Sequence, residues 1–378
     1  MDVPRMRATF ARAAAAGDEA PLYFYAHLFL SHPETRALFP VSMAHQRDRL
    51  FQALGDVVTY VDDLDTLVPI LQALGRDHRK FGTVAEHYPA VGASLLATLE
   101  HFDPEWDAAR AEEWTAAYQL VAQVMVDAAA EVADDPAWWE GEVVAHERRT
   151  FDVAVLRVRP RVPLEYVAGQ SVSLETELRP RLWRWYSPAT APRDDGLIEL
   201  HVKARDGGPV SSALVRQVGV GDVLRFGLPV GSFVLDTDSD RDLLLVAGGM
   251  GLAPLKALVD QVARHGPPRR VDLFIGVRVE DLLYDRAEFT RLDQQHPWLT
   301  VTAAVSDDKD SALEHGDVGD VVVRHGPWTS RDVYVAGPPA MVEDTVGRLL
   351  AHGLRPERVR TEVFAPSRPS PDLSGEVT

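Results

Sequence analysis

Two histidines lie nine positions apart in the stretch DHRKFGTVAEHYP, residues 77–89. An imidazole can bind a metal ion, transfer protons or simply hydrogen-bond inside a core. The chain contains no cysteine, which excludes disulfides, thiolate metal sites and iron–sulfur clusters. Any redox chemistry therefore needs a cofactor held by other side chains.

The apolar spacing around these histidines separates them. Leu67, Leu71, Leu74 and His78 step by four, three and four residues, so His78 continues the buried face of a helix. The next apolar stripe begins at Tyr88, which predicts that Tyr88 points inward and that His87 faces solvent. An inward imidazole at a helix end is most often a hydrogen-bonded core histidine, and the alternative is a metal or haem ligand. Spacing alone leaves both interpretations open.

Three patterns of hydrophobicity follow one another along the chain. Residues 1–134 have apolar positions at helical spacing, residues 140–236 have short alternating runs between Pro and Gly, and residues 237–366 repeat strand, turn and helix. The predicted fold class is an all-α domain, then an antiparallel β-barrel, then an α/β domain with a parallel sheet. Residues 367–378 are polar and rich in Pro and Ser, which predicts a flexible tail.

Composition narrows the classes of function. Of the 378 residues, 46% are hydrophobic and 25% charged, as in globular proteins with a sizeable core. The net charge of −18 repels nucleic acid and anionic membrane surfaces, so neither is expected as a partner. The chain shows no signal-peptide pattern and no apolar window long enough to span a bilayer. We expect a cytoplasmic protein without membrane insertion, as a monomer or weak oligomer.

The helical region resembles the globin domain of bacterial flavohaemoglobins. The resemblance runs through YFYAHLFLSHPETRALFP, HQRDRLFQAL, DHRKFG and EHYPAVGASLLATL, in that family's order and nearly its spacing. It implies that the domain binds haem b, with His78 as the proximal ligand of the iron and Tyr88 beside it. A proximal histidine leaves the opposite axial position open for O2 or NO.

The same resemblance implies a distal side for the haem. Tyr25 and Gln46 would be its polar pair, Leu50 an apolar wall, and Phe39 the residue packed on the haem. A phenol hydroxyl in that position can donate a hydrogen bond to bound O2.

Two stretches of the alternating region, RLWRWYSPATAP and HVKARDGGPVSSAL, resemble the flavin-binding motifs of ferredoxin reductases. The first implies that Arg184 binds the FAD pyrophosphate, that Tyr186 contacts the flavin or its ribityl chain and that Ser187 lies near the reactive ring nitrogen. In the second, Lys203 ends a strand, and a turn from 208 to 211, with Gly208 and Ser211, leads into a helix suited to phosphate binding.

Two glycine turns in the third region resemble the nicotinamide-binding turns of the same reductases. Each is a weak signal alone, but in a doubly wound sheet both open onto the carboxyl edge, where ligands bind. RTEVFAP near the C-terminus implies an aromatic residue, Phe364, against the flavin ring. The turn residues implied in NAD(P)H binding are Gly248, Gly249, Gly251 and Pro254 in VAGGMGLAPLKAL, and Gly337 and Pro338 in VYVAGPPAMV.

The choice between NADH and NADPH depends on charges after the second strand of this region. Arg278 could pair with the 2′-phosphate of NADPH, whereas Asp272 and Glu280 argue against it. NADH is favoured because it is the habit of the family.

The resemblance implies a nitric oxide dioxygenase that converts NO and O2 to nitrate, with electrons passing from NAD(P)H through FAD to haem. The chain departs from the family's pattern at Ala129, where a glutamate usually polarises the proximal histidine, at Asp77, at Met250 and at Ala336, which replaces a cysteine. These departures leave two alternatives: a divergent haem–flavin oxidoreductase with another electron donor or a peroxide substrate, or a gas or redox sensor.

Overall fold

The computed structural model of the protein describes residues 2–265 and 269–364. The chain forms two compact units, of which the first ends at Trp138 and the second begins at Trp139. The first unit is helical, and the second contains an antiparallel sheet and a parallel sheet, each with its own helices. The predicted fold class is confirmed. The finer domain boundaries stay predictions, and the predicted tail lies outside the described residues.

Six α-helices form the described part of the first unit, and aspartates begin three of them. The carboxylates of Asp2, Asp63 and Asp107 each accept the backbone N–H three residues on. These caps satisfy amides that a helix start leaves unpaired. Short 3-10 turns span Pro33–Leu38, Arg79–Phe81 and Ala85–His87. The helices are α1 (Val3–Ala15), α2 (Glu19–Ser31), α3 (Ala44–Thr59), α4 (Leu64–His78), α5 (Tyr88–Phe102) and α6 (Ala108–Glu131).

Helices α4 and α6 pack closely at Gly75. A Cβ atom there would lie 2.3 Å from the carbonyl oxygen of Met125, so the approach requires glycine. Further along both helices, Arg76 pairs with Glu131 at 2.9 Å. Beyond them, Arg79 donates to the carbonyl oxygen of Ala133 at 3.3 Å. Residues later in α4 contact residues later in α6, so the end of α4 lies beside the end of α6.

The antiparallel sheet of the second unit is a nearly closed barrel. Its strand order is β4-β3-β6-β1-β2-β5, and a bridge between Pro188 and Leu200 joins the segment after β4 to β5 at the opposite edge. Helix α7 (Pro209–Arg216) follows β5. The strands are β1 (Trp139–Arg148), β2 (Val153–Pro160), β3 (Ser171–Thr176), β4 (Arg184–Tyr186), β5 (Ile198–Lys203) and β6 (Val223–Val230).

The parallel sheet has the order β10-β9-β8-β7-β11-β12. The chain leaves β7 in one direction and returns to β11 on its other side, which makes the β7–β11 boundary a topological switch point. Every residue of β7 and of β11 is buried, as their apolar sequences predict. The elements are β7 (Leu243–Gly248), α8 (Leu252–His265), β8 (Val271–Val277), α9 (Arg286–Gln295), β9 (Leu299–Val305), β10 (Glu314–His315), α10 (Val318–His325), β11 (Asp332–Gly337), α11 (Pro339–Ala351) and β12 (Val359–Val363).

Candidate functional site

His78 is the last residue of α4, and its ring hydrogen-bonds to the same helix. Nδ1 lies 2.8 Å from the carbonyl oxygen of Leu74. Since a carbonyl can only accept, Nδ1 carries the proton and Nε2 keeps the lone pair that a metal ion needs. Burial lowers the pKa of His78, which keeps the ring neutral. The side chain therefore fits the part of an axial haem ligand.

Ala129 is a half-buried residue of α6, the helix that packs on α4. Along the chain, Ala129 lies between Met125, which Gly75 approaches, and Ala133, whose carbonyl oxygen accepts from Arg79. The acidic residues on either side of it are engaged elsewhere: Asp127 accepts from Gln123 at 2.7 Å, and Glu131 pairs with Arg76. Within the described residues, the hydrogen-bond partner of the His78 ring is a backbone carbonyl and not a carboxylate.

Tyr25 lies in the core of the first unit with two of the other predicted distal residues. Its side chain is 5% exposed, its ring packs edge-on against Phe39 at 5.5 Å, and Leu50 packs against the same core. Burial raises the pKa of Tyr25, so the phenol stays protonated and can donate. The hydroxyl donates to the backbone carbonyl of Gln46 at 3.3 Å, whereas the sequence suggested that the two side chains act as a pair.

Tyr88 and His87 occupy different environments. Tyr88 packs against the core cluster of α4 and α6 that contains Leu71 and Met125, on the same side as His78. His87 is half-buried, and its Nδ1 accepts the backbone N–H of Val84 at 3.2 Å. This hydrogen bond stabilises the turn before α5.

The residues predicted to bind FAD lie on and after β4. Arg184 begins the strand, Tyr186 ends it, and the Ser187 hydroxyl lies 3.0 Å from that of Ser171. Burial raises the pKa of Tyr186, while the charges of Arg184 and Arg205 act to lower it. Both guanidinium groups therefore act electrostatically on Tyr186, and their contact with a pyrophosphate stays a prediction.

Gly208 and Ser211 shape the turn that begins α7. A Cβ atom at Gly208 would lie 2.7 Å from Ser211 Oγ, which accepts the backbone N–H of Arg205 at 3.2 Å. The Ser211 hydroxyl thus holds the turn, and its contact with a phosphate stays a prediction.

A cleft of about 500 Å³ opens at the switch point of the parallel sheet. Gly248, Gly249 and Pro338 line it from the two turns, and Lys203 lines it from β5 of the barrel. A Cβ atom at Gly248 would lie 2.5 Å from Cε of Met341. Because Gly248 has no side chain, the turn can pack against Met341 and still leave room for a nucleotide to approach the backbone.

The other predicted residues of this region stabilise the two glycine turns or pack beside them. A Cβ atom at Gly251 would lie 2.0 Å from the carbonyl oxygen of Ala336, so this glycine allows the two turns to touch. Pro254 is buried in the first turn of α8. Phe364 donates its backbone N–H to the Gly337 carbonyl at 3.0 Å, and its half-buried side chain packs on the core.

Sequence reasoning missed a chain of buried polar groups beside the cleft. His201 Nε2 lies 3.1 Å from a carboxylate oxygen of Glu199, and His201 Nδ1 lies 2.9 Å from the Tyr284 hydroxyl. Lys256 donates to the same Glu199 oxygen. The available signal was the polar alternation of Glu199, His201 and Lys203 in a strand whose other residues are apolar.

Among the described residues, no group of three or more His, Asp or Glu side chains could hold a metal ion. No helix in the described part of the chain has both the length and the hydropathy of a membrane span.

Three family models match the chain in succession. A globin covers residues 22–125, an oxidoreductase FAD-binding domain covers 140–235 and an oxidoreductase NAD-binding domain covers 245–347. These domains agree with the predicted cofactors, haem, FAD and a nicotinamide nucleotide.

Relatives and solved structures extend over the same regions. A flavohemoprotein of Bacillus anthracis is 26% identical over 93% of this chain and 94% of its own length. The flavohemoglobin of Malassezia yamatoensis, solved with FAD and heme, is 18% identical and shares the fold over 96% of this chain and 98% of its own, with a TM-score of 0.76.

Two further structures match the second unit. The Amycolatopsis cytochrome P450 reductase GcoB is 32% identical over 61% of this chain and 70% of its own, with a TM-score of 0.56. The flavohem-like FAD/NAD-binding domain of a nitric oxide dioxygenase from Vibrio cholerae is 24% identical over 60% of this chain and 99% of its own, with a TM-score of 0.55.

The order of the three domains and the length of the match to flavohemoproteins lead to one assignment. The chain is an oxidoreductase built from a globin, an FAD-binding domain and an NAD-binding domain, and it is similar to flavohemoproteins over nearly its whole length.

Proposed function

We propose that the protein is a nitric oxide dioxygenase that uses NADH. The observation that carries the proposal is the neutral His78, whose Nε2 is left for a metal ion, in a chain that also has a nucleotide cleft at a sheet switch point. Bound haem would supply an iron that takes O2, and bound FAD would divide the two electrons of a hydride into single electrons. Forming nitrate from NO and O2 takes one electron, so each hydride serves two NO molecules.

Different side chains of the first unit would bind the haem iron, donate to O2 and exclude water. His78 would hold the iron from one side, with its orientation fixed by the Leu74 carbonyl. Tyr25, which burial keeps protonated, would donate to O2 on the other side. Phe39 and Leu50 would exclude water from that side, since both pack in the same apolar core as Tyr25.

In the second unit, Arg184 and Arg205 would bind the pyrophosphate of FAD, and the two glycine turns would bind the nicotinamide nucleotide. The cleft is lined by more carboxylates than cations: Asp152, Asp317 and Asp344 against Lys203 and Arg278. This balance disfavours the extra phosphate of NADPH and supports NADH. Asp272, which the sequence placed near this choice, instead pairs with Arg331 at 2.9 Å.

The test is NO consumption by the haem- and FAD-loaded protein in air with NADH, followed with an NO electrode. We expect His78→Ala to abolish the Soret band and NO consumption, because it removes the ligand. His87→Ala is the matched control, since His87 makes only a local turn hydrogen bond, and we expect it to keep both. Failure of the wild-type protein to consume NO with either nicotinamide nucleotide would refute the assignment.

A second candidate is a divergent haem–flavin oxidoreductase with another electron donor or a peroxide substrate. It is motivated by two departures from the family's pattern, Ala129, where a glutamate is usual, and Ala336, which precedes the last residue of β11. Reduction of the haem by an organic donor, but not by NADH or NADPH, would support this candidate over the first.

A further inference from the structure

A buried polar chain connects the barrel to the parallel-sheet half of the second unit. Glu199 and His201 lie on β5, Lys256 lies on α8, and Tyr284 lies in the segment between β8 and α9. Glu199 accepts from Lys256 and, at 3.0 Å, from Arg157. His201 bridges Glu199 and the Tyr284 hydroxyl, with contacts of 3.1 and 2.9 Å.

The direction of each hydrogen bond follows from the charges. Burial alone would raise the pKa of Glu199, but the hydrogen bond from His201 and the charge of Lys256 hold it well below its usual range. An ionised carboxylate only accepts, so His201 Nε2 must donate to Glu199. Burial raises the pKa of Tyr284, so its hydroxyl keeps its proton.

Ion pairs surround this contact. The acidic groups are Glu199, Glu147 and Asp285, and the basic groups are Lys256, Arg157 and Arg149. His201 Nε2 also lies 3.9 Å from a carboxylate oxygen of Asp285. His201 therefore links the Tyr284 hydroxyl to Glu199 inside a charged cluster.

This chain joins three elements that border the nucleotide cleft. Tyr284 lines the cleft, and so does Lys203, which lies two residues after His201 on β5. Helix α8, which carries Lys256, begins directly after the glycine turn at 249–251. A displacement of β5 against α8 would therefore move the barrel wall of the cleft relative to the turn that holds the nucleotide.

We propose that Glu199, His201 and Lys256 are positioning residues for hydride transfer, which hold Tyr284 in the cleft wall and fix β5 against α8. The proposal rests on the proposed function, because it takes the cleft to bind a nicotinamide nucleotide. In the transfer, the dihydronicotinamide gives up a hydride and is oxidised, and the flavin accepts it and is reduced. The residues of the chain change no protonation state, and they act by setting the distance and angle of the two rings, to which such a step is sensitive.

The test compares two buried tyrosines. Tyr284→Phe removes the hydroxyl that hydrogen-bonds to His201. Tyr334→Phe is the matched control: its hydroxyl is also buried, donates to the Val234 carbonyl at 3.1 Å and accepts the Asp236 N–H at 3.1 Å, but Tyr334 is not among the residues that line the cleft. Lys256→Met tests the other end of the chain.

Three measurements are made on the full-length protein: flavin reduction by excess NADH without oxygen, NAD⁺ affinity by calorimetry, and the ring-nitrogen shifts of ¹⁵N-labelled histidine. We expect Tyr284→Phe and Lys256→Met to slow flavin reduction about tenfold with normal FAD content. Tyr334→Phe should keep the wild-type rate and lose only thermal stability. Tyr284→Phe should change the Nδ1 shift of His201, whereas Tyr334→Phe should leave it unchanged.

An unchanged rate in both Tyr284→Phe and Lys256→Met, or an equal slowing in Tyr334→Phe, would overturn the proposal while the proposed function stands. An unchanged His201 Nδ1 shift in Tyr284→Phe would also overturn it. If neither NADH nor NADPH reduces the flavin of the wild-type protein, the proposed function fails, and this inference fails with it.

Discussion

Replacing Gly75 by alanine tests the packing of α4, which ends at His78, against α6. In a helix interior, alanine is favoured over glycine by about 1 kcal/mol. Here, however, the new Cβ atom would lie 2.3, 2.7 and 2.8 Å from the O, Cα and C atoms of Met125. These are backbone atoms, which cannot rotate away, so α4 must move away from α6.

Overpacking of this kind costs about 1–3 kcal/mol or more, and rigid backbone on the opposite side places Gly75 at the upper end of that range. The steric cost exceeds the gain in helix propensity, and we expect the free energy of unfolding of the first unit to fall by about 2 kcal/mol. Movement of α4 should also disturb the ligand at its end, so haem should dissociate faster.

Gly55→Ala is the matched control in the same unit. Gly55 lies inside α3, and a Cβ atom there would meet the Phe10 ring at 3.6 Å, an ordinary contact. This variant should gain up to about 1 kcal/mol. Urea unfolding followed by the Soret band reports on the globin domain in both variants. If Gly75→Ala were as stable as Gly55→Ala, the close approach of α4 and α6 would be wrong.

Three further outcomes follow from the sites. Tyr25→Phe removes the donor to bound O2 and should raise the O2 dissociation rate about tenfold, measured by displacement with CO; an unchanged rate would exclude the tyrosine from the site. Ala129→Glu introduces the carboxylate that the resemblance expects at this position and should lower the haem potential and raise the iron–histidine stretching frequency, whereas Ala130→Glu, an exposed neighbour, should do neither. NADH should exceed NADPH in kcat/KM by at least about tenfold, because Arg278 is outnumbered by carboxylates in the cleft; equal values would remove the charge argument.

Hydrophobic pattern alone predicted the elements of this fold because each buries a regular face. The apolar run LLLVAG becomes β7, whose residues are all buried, and the stripe that ends at His78 becomes the buried face of α4. The alanine at position 129 was also visible in sequence, at a position where the resemblance to flavohaemoglobins expects a glutamate.

The sequence could not predict which atoms meet. Gln46 was expected to pair with Tyr25 through its side chain, but its backbone carbonyl takes that hydrogen bond, because a pattern specifies a residue type and not a rotamer. Tyr284 and His201 lie 83 positions apart, and their contact depends on how the barrel seats against the parallel sheet. No local periodicity encodes such a contact.

The environment of His78 discriminates between the two candidate functions. Cleaving the O–O bond of a peroxide is assisted by an electron-rich proximal ligand, which in haem proteins is a thiolate or a histidine made more basic by a hydrogen-bonded carboxylate. The His78 ring donates to a neutral backbone carbonyl, which gives little of that assistance. Converting NO and O2 to nitrate instead requires that O2 stay bound until NO arrives, and a protonated phenol such as that of Tyr25 supplies this retention. The geometry therefore favours the dioxygenase over the peroxidase. Rapid reduction of an organic hydroperoxide by the wild-type protein, at a rate that Ala129→Glu fails to increase, would contradict this argument.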